Sequence, residues 1–281
     1  MGHPRRYIRI LTIAGSDSGG AAGIQADLKT MSALGCYGMS AITAITVQNT
    51  LGVTGIHSIP ADILAGQIEA VITDIGADAV KIGMLHTPEI VDVVTNAISH
   101  YSLSKVVLDP VMASASGSAL IEKPTIAKII NQLLPIVDII TPNLDEAAIL
   151  LQRSIEDEKA MEKAALDLLT LGCKAVLLKG GHLAGSEVID ILIMKSPNEE
   201  ITQYIFRTPR IDSNNLHGTG CTLASAIACY LGFGHDLPTA VDKACAYIRQ
   251  AIEQGKNQQT GHGPGPLNHG FAPQGMHILP R

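Results

Sequence analysis

A glycine-rich segment near residue 218 can bind an anion. Gly218 and Gly220 flank Thr219 just before a strongly apolar stretch that predicts a helix. Because glycine has no side chain, backbone amides can approach a phosphate there, and the helix dipole favours negative charge at the N-terminus. The same pattern also fits an ordinary glycine turn in which Thr219 or Thr222 caps the helix. The local residues alone leave both interpretations open.

Cys221 lies in the first turn of that predicted helix. A cysteine in this position can have a lowered pKa, because the helix dipole stabilises the thiolate. A thiolate beside a substrate hydroxyl can accept its proton and act as a general base. The alternative is a small packed side chain, which the residue taken alone favours.

Two charged residues end short apolar runs that predict strands. Lys179 precedes two glycines, and a cation there can neutralise phosphate charge, the main requirement of a phosphoryl-transfer site. The alternative for Lys179 is a side chain that snorkels to water. Asp109 precedes Pro110, and its carboxylate can support Mg²⁺ or the transferring phosphate. The alternative for Asp109 is an Asx-Pro turn.

Asn143 and Glu146 are three residues apart at the start of another predicted helix. This spacing is typical of a capping box, in which each side chain accepts a hydrogen bond from a backbone amide of the other residue. A second interpretation places Glu146 near a Mg²⁺ ion, which commonly uses one or two carboxylates together with phosphate oxygens. Asn143 can serve both roles.

Residues 15–27 read as a glycine loop that enters a helix. The loop lacks the Walker spacing G-x-x-x-x-G-K-[ST], and its glycines do not form a dinucleotide fingerprint. Asp27 can reach back from the helix toward a ligand. Helical periodicity alone predicts a solvated side chain for it.

Strands and helices alternate along the chain, and the short strands are uniformly apolar, which predicts a mostly parallel sheet covered on both faces. In such sheets ligands bind at the carboxyl ends of the strands, so the polar segments should converge on one rim. The predicted strands are residues 7–14, 40–47, 79–82, 105–108, 137–140, 175–178, 188–194 and 201–206, the last two as a hairpin. The predicted helices are residues 22–34, 61–74, 88–98, 125–134, 143–151, 158–171, 219–231 and 239–254.

Composition excludes several partners. The net charge is −6 with no run of Lys or Arg, and aromatics make up only 3%. A nucleic acid or anionic membrane would favour a basic stripe, and single-stranded binding would favour aromatic platforms. The five cysteines have no metal-ligand spacing, and neither a signal peptide nor an apolar run of membrane length is found. We therefore expect a cytoplasmic protein without nucleic-acid or membrane partners.

The 281 residues are expected to form one domain, residues 1–281. Residues 255–281 are rich in Gly, Pro, His, Asn and Gln. This composition predicts a closing segment followed by a mobile tail.

Taken together, these segments resemble the hydroxymethylpyrimidine/phosphomethylpyrimidine kinases of thiamine biosynthesis, a branch of the ribokinase-like superfamily. The matching segments run in the family's order, and residues 263–269 resemble its closing segment. They are residues 14–30, 47–50, 81–85, 107–112, 141–144, 178–182 and 217–222. The resemblance implies a three-layer α/β/α sandwich that uses ATP and Mg²⁺. It also implies two successive phosphorylations, of 4-amino-5-hydroxymethyl-2-methylpyrimidine and of its monophosphate.

The resemblance also implies roles for individual residues. Cys221 stands where many superfamily members have Asp, so it is the expected catalytic base, with the amides of Gly218, Thr219 and Gly220 as the anion hole. Lys179 should face the nucleotide phosphates together with Thr219 and Asn143, and Glu146 and Asp109 should lie in the metal region. The expected pyrimidine contacts are Gln48 and Asp27, in a pocket lined by Gly15, Met84 and Val111. Superfamily relatives are often dimers, so a homodimer is also expected.

Two alternatives stay open. A pyridoxal or pyridoxine kinase acts on a similar heteroaromatic hydroxymethyl group. A pyrimidine-binding protein without catalysis is the alternative from a different class. The presence of an anion hole and a phosphate-facing cation argues against a non-catalytic binding protein, because binding alone needs no anion hole. The residues concerned are Cys221, Gly218, Gly220 and Lys179.

Overall fold

Nine strands form the central sheet of the computed structural model, which describes residues 5–113, 120–196 and 198–279. Two further strands pair near the chain ends. In chain order the strands are β1 (Arg6–Tyr7), β2 (Arg9–Asp17), β3 (Tyr37–Asn49), β4 (Gly52–Ser58), β5 (Ala79–Ile82), β6 (Val106–Leu108), β7 (Ile139–Ile140), β8 (Ala175–Lys179), β9 (Glu187–Lys195), β10 (Ile201–Pro209) and β11 (Ile278–Leu279).

The strand order in the sheet is β10-β9-β8-β7-β6-β5-β2-β3-β4. The six central strands, from β8 to β3, are all parallel. Antiparallel strands flank them at both edges, namely the hairpin of β9 and β10 and the single strand β4. The expected parallel sheet and the hairpin are confirmed, whereas β4 was not predicted. The turn between β9 and β10 includes Pro197, which lies outside the described residues.

Eight α-helices pack on the sheet in the described part of the chain. They are α1 (Gly23–Ala33), α2 (Ala61–Asp74), α3 (Pro88–His100), α4 (Lys123–Lys128), α5 (Leu144–Leu151), α6 (Glu158–Leu169), α7 (Thr219–Gly232) and α8 (Leu237–Gly255). The helix predicted for residues 125–134 differs, because α4 continues as a π-helical turn (Ile129–Leu133) and a 3₁₀ turn (Leu134–Ile136). Pro135 has no amide hydrogen to continue an α-helical pattern.

The two faces of the sheet build separate hydrophobic cores. Along β2, Leu11 and Ile13 belong to one core while Ile10 belongs to the other. The same alternation recurs in β8, where Leu178 and Leu177 point to opposite sides. One core includes residues of α2, α3, α5 and α6, and the other includes residues of α1, α7 and α8. The expected three-layer α/β/α arrangement is confirmed.

The C-terminal segment, for which the composition predicts a mobile tail, pairs with the N-terminal part of the chain. Strand β11 pairs with β1, and the amides of Gln274 and His277 donate to the carbonyls of Ala33 and Gly35. Phe271 packs against the core beneath α7 and α8. Gly and Pro residues set the path of this segment, but backbone hydrogen bonds, which composition does not reveal, fix its place. Residues 280–281 lie outside the described part.

No helix in the described ranges has both the length and the apolar character that crossing a membrane requires.

Candidate active site

The polar segments that follow the strands converge on one cavity of about 770 Å³. All but one of the residues predicted for the site line it. They are Gly15, Gln48, Met84, Asp109, Val111, Asn143, Glu146, Lys179, Gly218, Thr219, Gly220 and Cys221. The exception is Asp27. The parallel strands therefore bring their carboxyl ends to one rim, as this kind of sheet predicts.

The N-terminus of α7 is built as an anion site. Its N-cap is Gly218, with φ of 88° and no side-chain cap. A Cβ at Gly218 would lie 1.8 Å from the Ala21 carbonyl oxygen, so both the backbone conformation and the space require glycine. Thr222 is not a cap, because its hydroxyl contacts His269 Nε2 at 3.0 Å. The first-turn amides are thus left without a capping side chain, which favours the anion-binding interpretation.

Lys179 faces this helix terminus from the end of β8. Its Nζ donates to Asp109 Oδ1 at 3.0 Å, and the side chain is only 13% exposed. A Cβ added at Gly220 would lie 3.1 Å from Nζ, so glycine is what lets the helix backbone approach the cation. Burial alone would lower the pKa of Lys179, but Asp109 and Glu146 raise it above its usual value. Lys179 is therefore a fixed cation inside the cavity, and the snorkelling interpretation is wrong.

The capping box at α5 is present in full. The Asn143 amide donates to Glu146 Oε2 and the Glu146 amide donates to Asn143 Oδ1, both at 2.8 Å. Glu146 is buried on the cavity wall. Burial raises the pKa of Glu146, Lys179 lowers it and Asp109 raises it again, and the net shift is upward. The cap fixes one carboxylate oxygen and leaves the other for a ligand.

The donor set of this wall fits Mg²⁺. Asp109 and Glu146 supply two buried carboxylates that feel each other's charge. Within residues 5–113, 120–196 and 198–279, no group of three or more His, Cys, Asp or Glu side chains could hold a metal ion. A Mg²⁺ ion held by these two carboxylates would take its other ligands from phosphate oxygens and water.

If Glu146 holds Mg²⁺, the raised pKa of Glu146 predicts how the metal requirement depends on pH. Glu146 takes up a proton at a higher pH than an ordinary glutamate, and the proton competes with the metal. Lowering the pH from about 8 to about 6 should therefore raise the Mg²⁺ concentration needed for half-maximal turnover. Glu146→Gln should raise that concentration at every pH and reduce its pH dependence. Glu253→Gln, on the exposed face of α8, is the matched control, and a Glu146→Gln protein with an unchanged Mg²⁺ requirement would remove Glu146 from the metal region.

Cys221 lines the cavity, but its predicted acidity is wrong. Burial raises the pKa of Cys221 to about 12, against the opposing charge of Lys81 and with a further upward contribution from Asp109. A hydrogen bond with the Gly23 backbone lowers this pKa but does not outweigh the burial. The resting side chain is therefore a thiol. Any role as a base requires it to lose that proton first.

Asp27 does not reach the cavity, contrary to the expected pyrimidine contact. It is fully buried on α1, where Oδ2 accepts from Lys81 Nζ at 2.9 Å and from Thr12 Oγ1 at 2.6 Å, and Oδ1 accepts from Ser225 Oγ at 2.7 Å. Both carboxylate oxygens are thus engaged inside the protein. Lys81 lies at the cavity wall, but its side chain is as fully buried as that of Asp27.

The pocket expected for the ring is assembled at the ends of β2, β3 and β5. The pairing of β2 with β3 shifts register between Ala14 and Ser16, which places Gly15 at an irregularity in the strand. A Cβ at Gly15 would lie 3.2 Å from Met84 Sδ, so the two residues are packed together. Gln48 and Val111 complete this end of the cavity. The opposite end is formed by α8 and the strands β9 and β10, with Ile248 and Val188 on the wall.

The cavity residues that were not predicted for the site include Lys81, Asp17 and His217. Each lies inside or next to a segment that the sequence analysis singled out, at the end of β5, the end of β2 and just before α7. Lys81 is a charged residue within an otherwise apolar run, and this feature could have identified it as a site residue. For Asp17 and His217, the sequence feature that could have identified them is their position beside the glycine segments.

A family comparison decides the identity of this arrangement. The model of the phosphomethylpyrimidine kinase family matches residues 17–268. The chain belongs to the phosphomethylpyrimidine kinase family.

Relatives within the family cover nearly all of the chain. It is 45% identical to a hydroxymethylpyrimidine/phosphomethylpyrimidine kinase of Streptomyces coelicolor, over 94% of both proteins. It is 46% identical to the thiamine biosynthesis bifunctional protein ThiED of Geobacter sulfurreducens, matching 92% of this chain but only 52% of that protein. The chain thus spans about half the length of this bifunctional relative.

Solved structures agree with the family fold. A phosphomethylpyrimidine kinase from Clostridium difficile 630 superposes with a TM-score of 0.75 at 44% identity, covering 87% of this chain and 99% of the other. The pyridoxal kinase of Staphylococcus aureus, solved with AMP-PCP and pyridoxal, gives a TM-score of 0.85 at 33% identity, covering 98% and 97%. The family recognition and the fold predicted from the sequence are both confirmed. The second structure keeps the pyridoxal alternative relevant.

Proposed function

We propose that the chain transfers the γ-phosphate of ATP to the hydroxymethyl oxygen of 4-amino-5-hydroxymethyl-2-methylpyrimidine, and then a second phosphate to the monophosphate, in the synthesis of thiamine diphosphate. One observation carries the proposal: the glycine-built terminus of α7 lies directly against the Lys179–Asp109 pair, on the same cavity that Gln48 lines. This arrangement unites an anion site, a fixed cation and a polar contact for a ring. The names of the family relatives support the choice of substrate.

Each residue has a defined task in this reaction. The pyrimidine ring is held by Gln48, Gly15, Met84 and Val111. The backbone amides in the first turn of α7 bind the transferred phosphoryl group. Cys221 acts as the thiolate, after its own proton has passed to solvent. The proton of the hydroxymethyl group then passes to the Cys221 sulfur as the hydroxymethyl oxygen forms a bond to the γ-phosphorus. The bond from that phosphorus to the ADP oxygen breaks at the same time.

Charge is balanced from the opposite wall of the cavity. Lys179 places positive charge beside the anion site, where negative charge spreads over the phosphoryl oxygens during transfer. Asp109 and Glu146 would hold Mg²⁺, which neutralises phosphate charge when bound. Because the Lys179 ammonium is fixed by Asp109, it needs no rearrangement at the moment of transfer.

The two open alternatives predict different results in one experiment. ADP release should be measured with the hydroxymethylpyrimidine, its monophosphate and pyridoxal at equal concentrations. We expect the highest kcat/KM with the two pyrimidines and a lower value with pyridoxal. Preference for pyridoxal would support the second candidate, which the 33% identical pyridoxal kinase structure favours. Tight pyrimidine binding without ADP release would indicate a non-catalytic binding protein.

Gln48→Ala tests the pyrimidine pocket. We expect the KM for the pyrimidine to rise far more than the KM for ATP, because a buried amide that pairs with a ring contributes roughly 1–3 kcal/mol. Gln203→Ala, on the exposed face of β10, is the matched control. A Gln48→Ala protein with an unchanged pyrimidine KM would place the ring elsewhere.

The homodimer and the cytoplasmic location stay predictions. Sedimentation velocity tests the first and cell fractionation the second.

A further inference from the structure

Three side chains meet at the ring end of the cavity: Asp17, Gln48 and His217. His217 Nε2 lies 3.1 Å from Gln48 Nε2 and 3.6 Å from Asp17 Oδ2. All three residues line the cavity. One nitrogen of His217 therefore faces an amide and a carboxylate at once, and its hydrogen determines how both can pair.

Asp17 is a fixed carboxylate in this group. Its oxygens accept hydrogen bonds from three backbone amides, those of Gly19 at 2.8 Å, Ala21 at 3.0 Å and Ala22 at 2.8 Å. Burial alone would raise the pKa of Asp17, but His217 and the amides lower it below its usual value. A carboxylate repels a nitrogen lone pair and attracts an N–H group. The neighbouring Asp17 thus favours the form of His217 that carries hydrogen on Nε2.

A hydrogen on His217 Nε2 decides the orientation of the Gln48 amide. An N–H group cannot pair with the amide NH₂, so the amide must turn its oxygen toward His217. A rotation by half a turn exchanges the two groups without moving the heavy-atom positions appreciably. Thr46, at the other side of the Gln48 amide, favours the same orientation. Its single hydroxyl hydrogen lies between two acceptors, the Ser16 carbonyl oxygen and Gln48 Oε1, both at 3.0 Å.

Rotating the Gln48 amide by half a turn removes two conflicts: the N–H of His217 no longer faces the amide NH₂, and the Thr46 hydroxyl no longer faces two acceptors. Thr46 then donates to the Ser16 carbonyl and accepts from the Gln48 NH₂, while Gln48 oxygen accepts from His217. The backbone of Gln48 cannot adapt instead, because its amide and carbonyl are both paired with the Ser18 hydroxyl. His217 is itself anchored through its own backbone, whose amide donates to the Gly265 carbonyl at 3.1 Å. The ring of His217 is thus placed from both sides.

We propose that His217 is a positioning residue for substrate specificity: it fixes the Gln48 amide so that the acceptor faces His217 and the donor faces Thr46. This proposal rests on the proposed function. After these two contacts the Gln48 amide still has one N–H group and one oxygen lone pair. They present one hydrogen-bond donor and one acceptor to a ligand, in a fixed arrangement. A ring nitrogen next to an exocyclic amino group, as in an aminopyrimidine, satisfies both. The ring nitrogen of pyridoxal has no amino group beside it and satisfies one at most.

The test is direct binding of the hydroxymethylpyrimidine and of pyridoxal by calorimetry without ATP, which needs no turnover. His217→Phe keeps the ring shape and removes the hydrogen. We expect it to weaken pyrimidine binding by about five- to tenfold, the size of one lost hydrogen bond, and pyridoxal binding by less than about twofold. His217→Gln, which restores an N–H donor, should recover part of the loss. His57→Phe, an exposed histidine on β4, is the matched control.

A double-mutant cycle separates orientation from a direct contact. In a Gln48→Ala background, His217→Phe should cause no further loss, because the amide it orients is gone. Additive losses, or equal weakening of both rings, would overturn the proposal. Thr46→Val compared with Thr46→Ser tests the other end of the amide without touching the histidine, and should also lower discrimination.

Failure of the proposed function gives a different result. A wild-type protein that binds pyridoxal but no pyrimidine would overturn both the proposed function and the donor–acceptor order inferred here. Normal pyrimidine binding by a folded His217→Phe protein would overturn the inference alone.

Discussion

Lys179→Ala is expected to lower kcat by about 10²–10³-fold, the loss typical of removing one preorganised group that stabilises transition-state charge. The KM for ATP should rise as well. Lys179 is the cation that the structure places against the terminus of α7, held by Asp109 at 3.0 Å. Its removal leaves two buried carboxylates facing the phosphates without a compensating charge. Steady-state kinetics with varied ATP measures both effects.

A structural role of Lys179 makes a different prediction. If the lysine only neutralised Asp109, then Lys179→Ala should lower the melting temperature and leave the kcat of the folded protein near that of wild type. A role in transfer predicts a much lower kcat in protein that is still folded at the assay temperature. Lys174→Ala, an exposed lysine paired with Asp138, is the matched control. Wild-type kcat and ATP KM in a folded Lys179→Ala protein would contradict the assignment.

The arrangement of the sheet was predictable because it depends on local patterns. Short apolar strands such as β6 and β8 are buried on both faces, and the helices between them force a parallel order. Strand β4 was missed because it lies at the edge of the sheet, beside β3, and its residues are mostly half-buried. The contacts of the C-terminal segment were not predictable for a related reason. Its place depends on pairing with β1, at the other end of the chain.

The candidate site was predictable where backbone geometry defines it. Glycines at the start of α7 and charged residues at strand ends mark positions that the fold brings to one rim. Pairing between distant side chains is not visible in such patterns. Asp27 turns inward because Lys81, on β5, meets it at 2.9 Å. His217 is tied to Gln48, which lies far away in sequence.

The acidity of Cys221 shows a limit of local reasoning. Its place in the first turn of a helix predicts a stabilised thiolate. The structure adds burial and two nearby carboxylates, Asp27 and Asp109, which together raise its pKa to about 12. A dipole effect falls off quickly and acts through a few amides, whereas desolvation acts on the whole charge.

Cys221→Ala is expected to lower kcat by about 10²–10⁴-fold, the usual contribution of a general base. Pyrimidine binding should persist, because Gln48, Gly15 and Met84 are unchanged. Cys173→Ala, a buried cysteine outside the cavity, is the matched control for loss of a thiol. Kinetics and calorimetry on the same protein separate the two effects. If a folded Cys221→Ala protein kept a kcat within a few-fold of wild type, Cys221 would not be the general base. Phosphoryl transfer would then depend on substrate positioning and on the charge of Lys179.

The raised pKa of Cys221 gives this prediction a pH signature. The thiolate is the active form, and it forms only as pH rises toward the raised pKa, so turnover should increase from about pH 7 to about pH 9 and be lost as pH falls. Alkylation of Cys221 by iodoacetamide should rise with pH in the same way and be slowed by bound pyrimidine. Cys221→Asp replaces the thiol with a stronger acid, so partial activity with a flatter profile is expected. An identical slope in wild type and Cys221→Asp would show that another group titrates. Agreement between the alkylation and turnover profiles, together with the flattened Asp variant, would assign the proton acceptor to the sulfur.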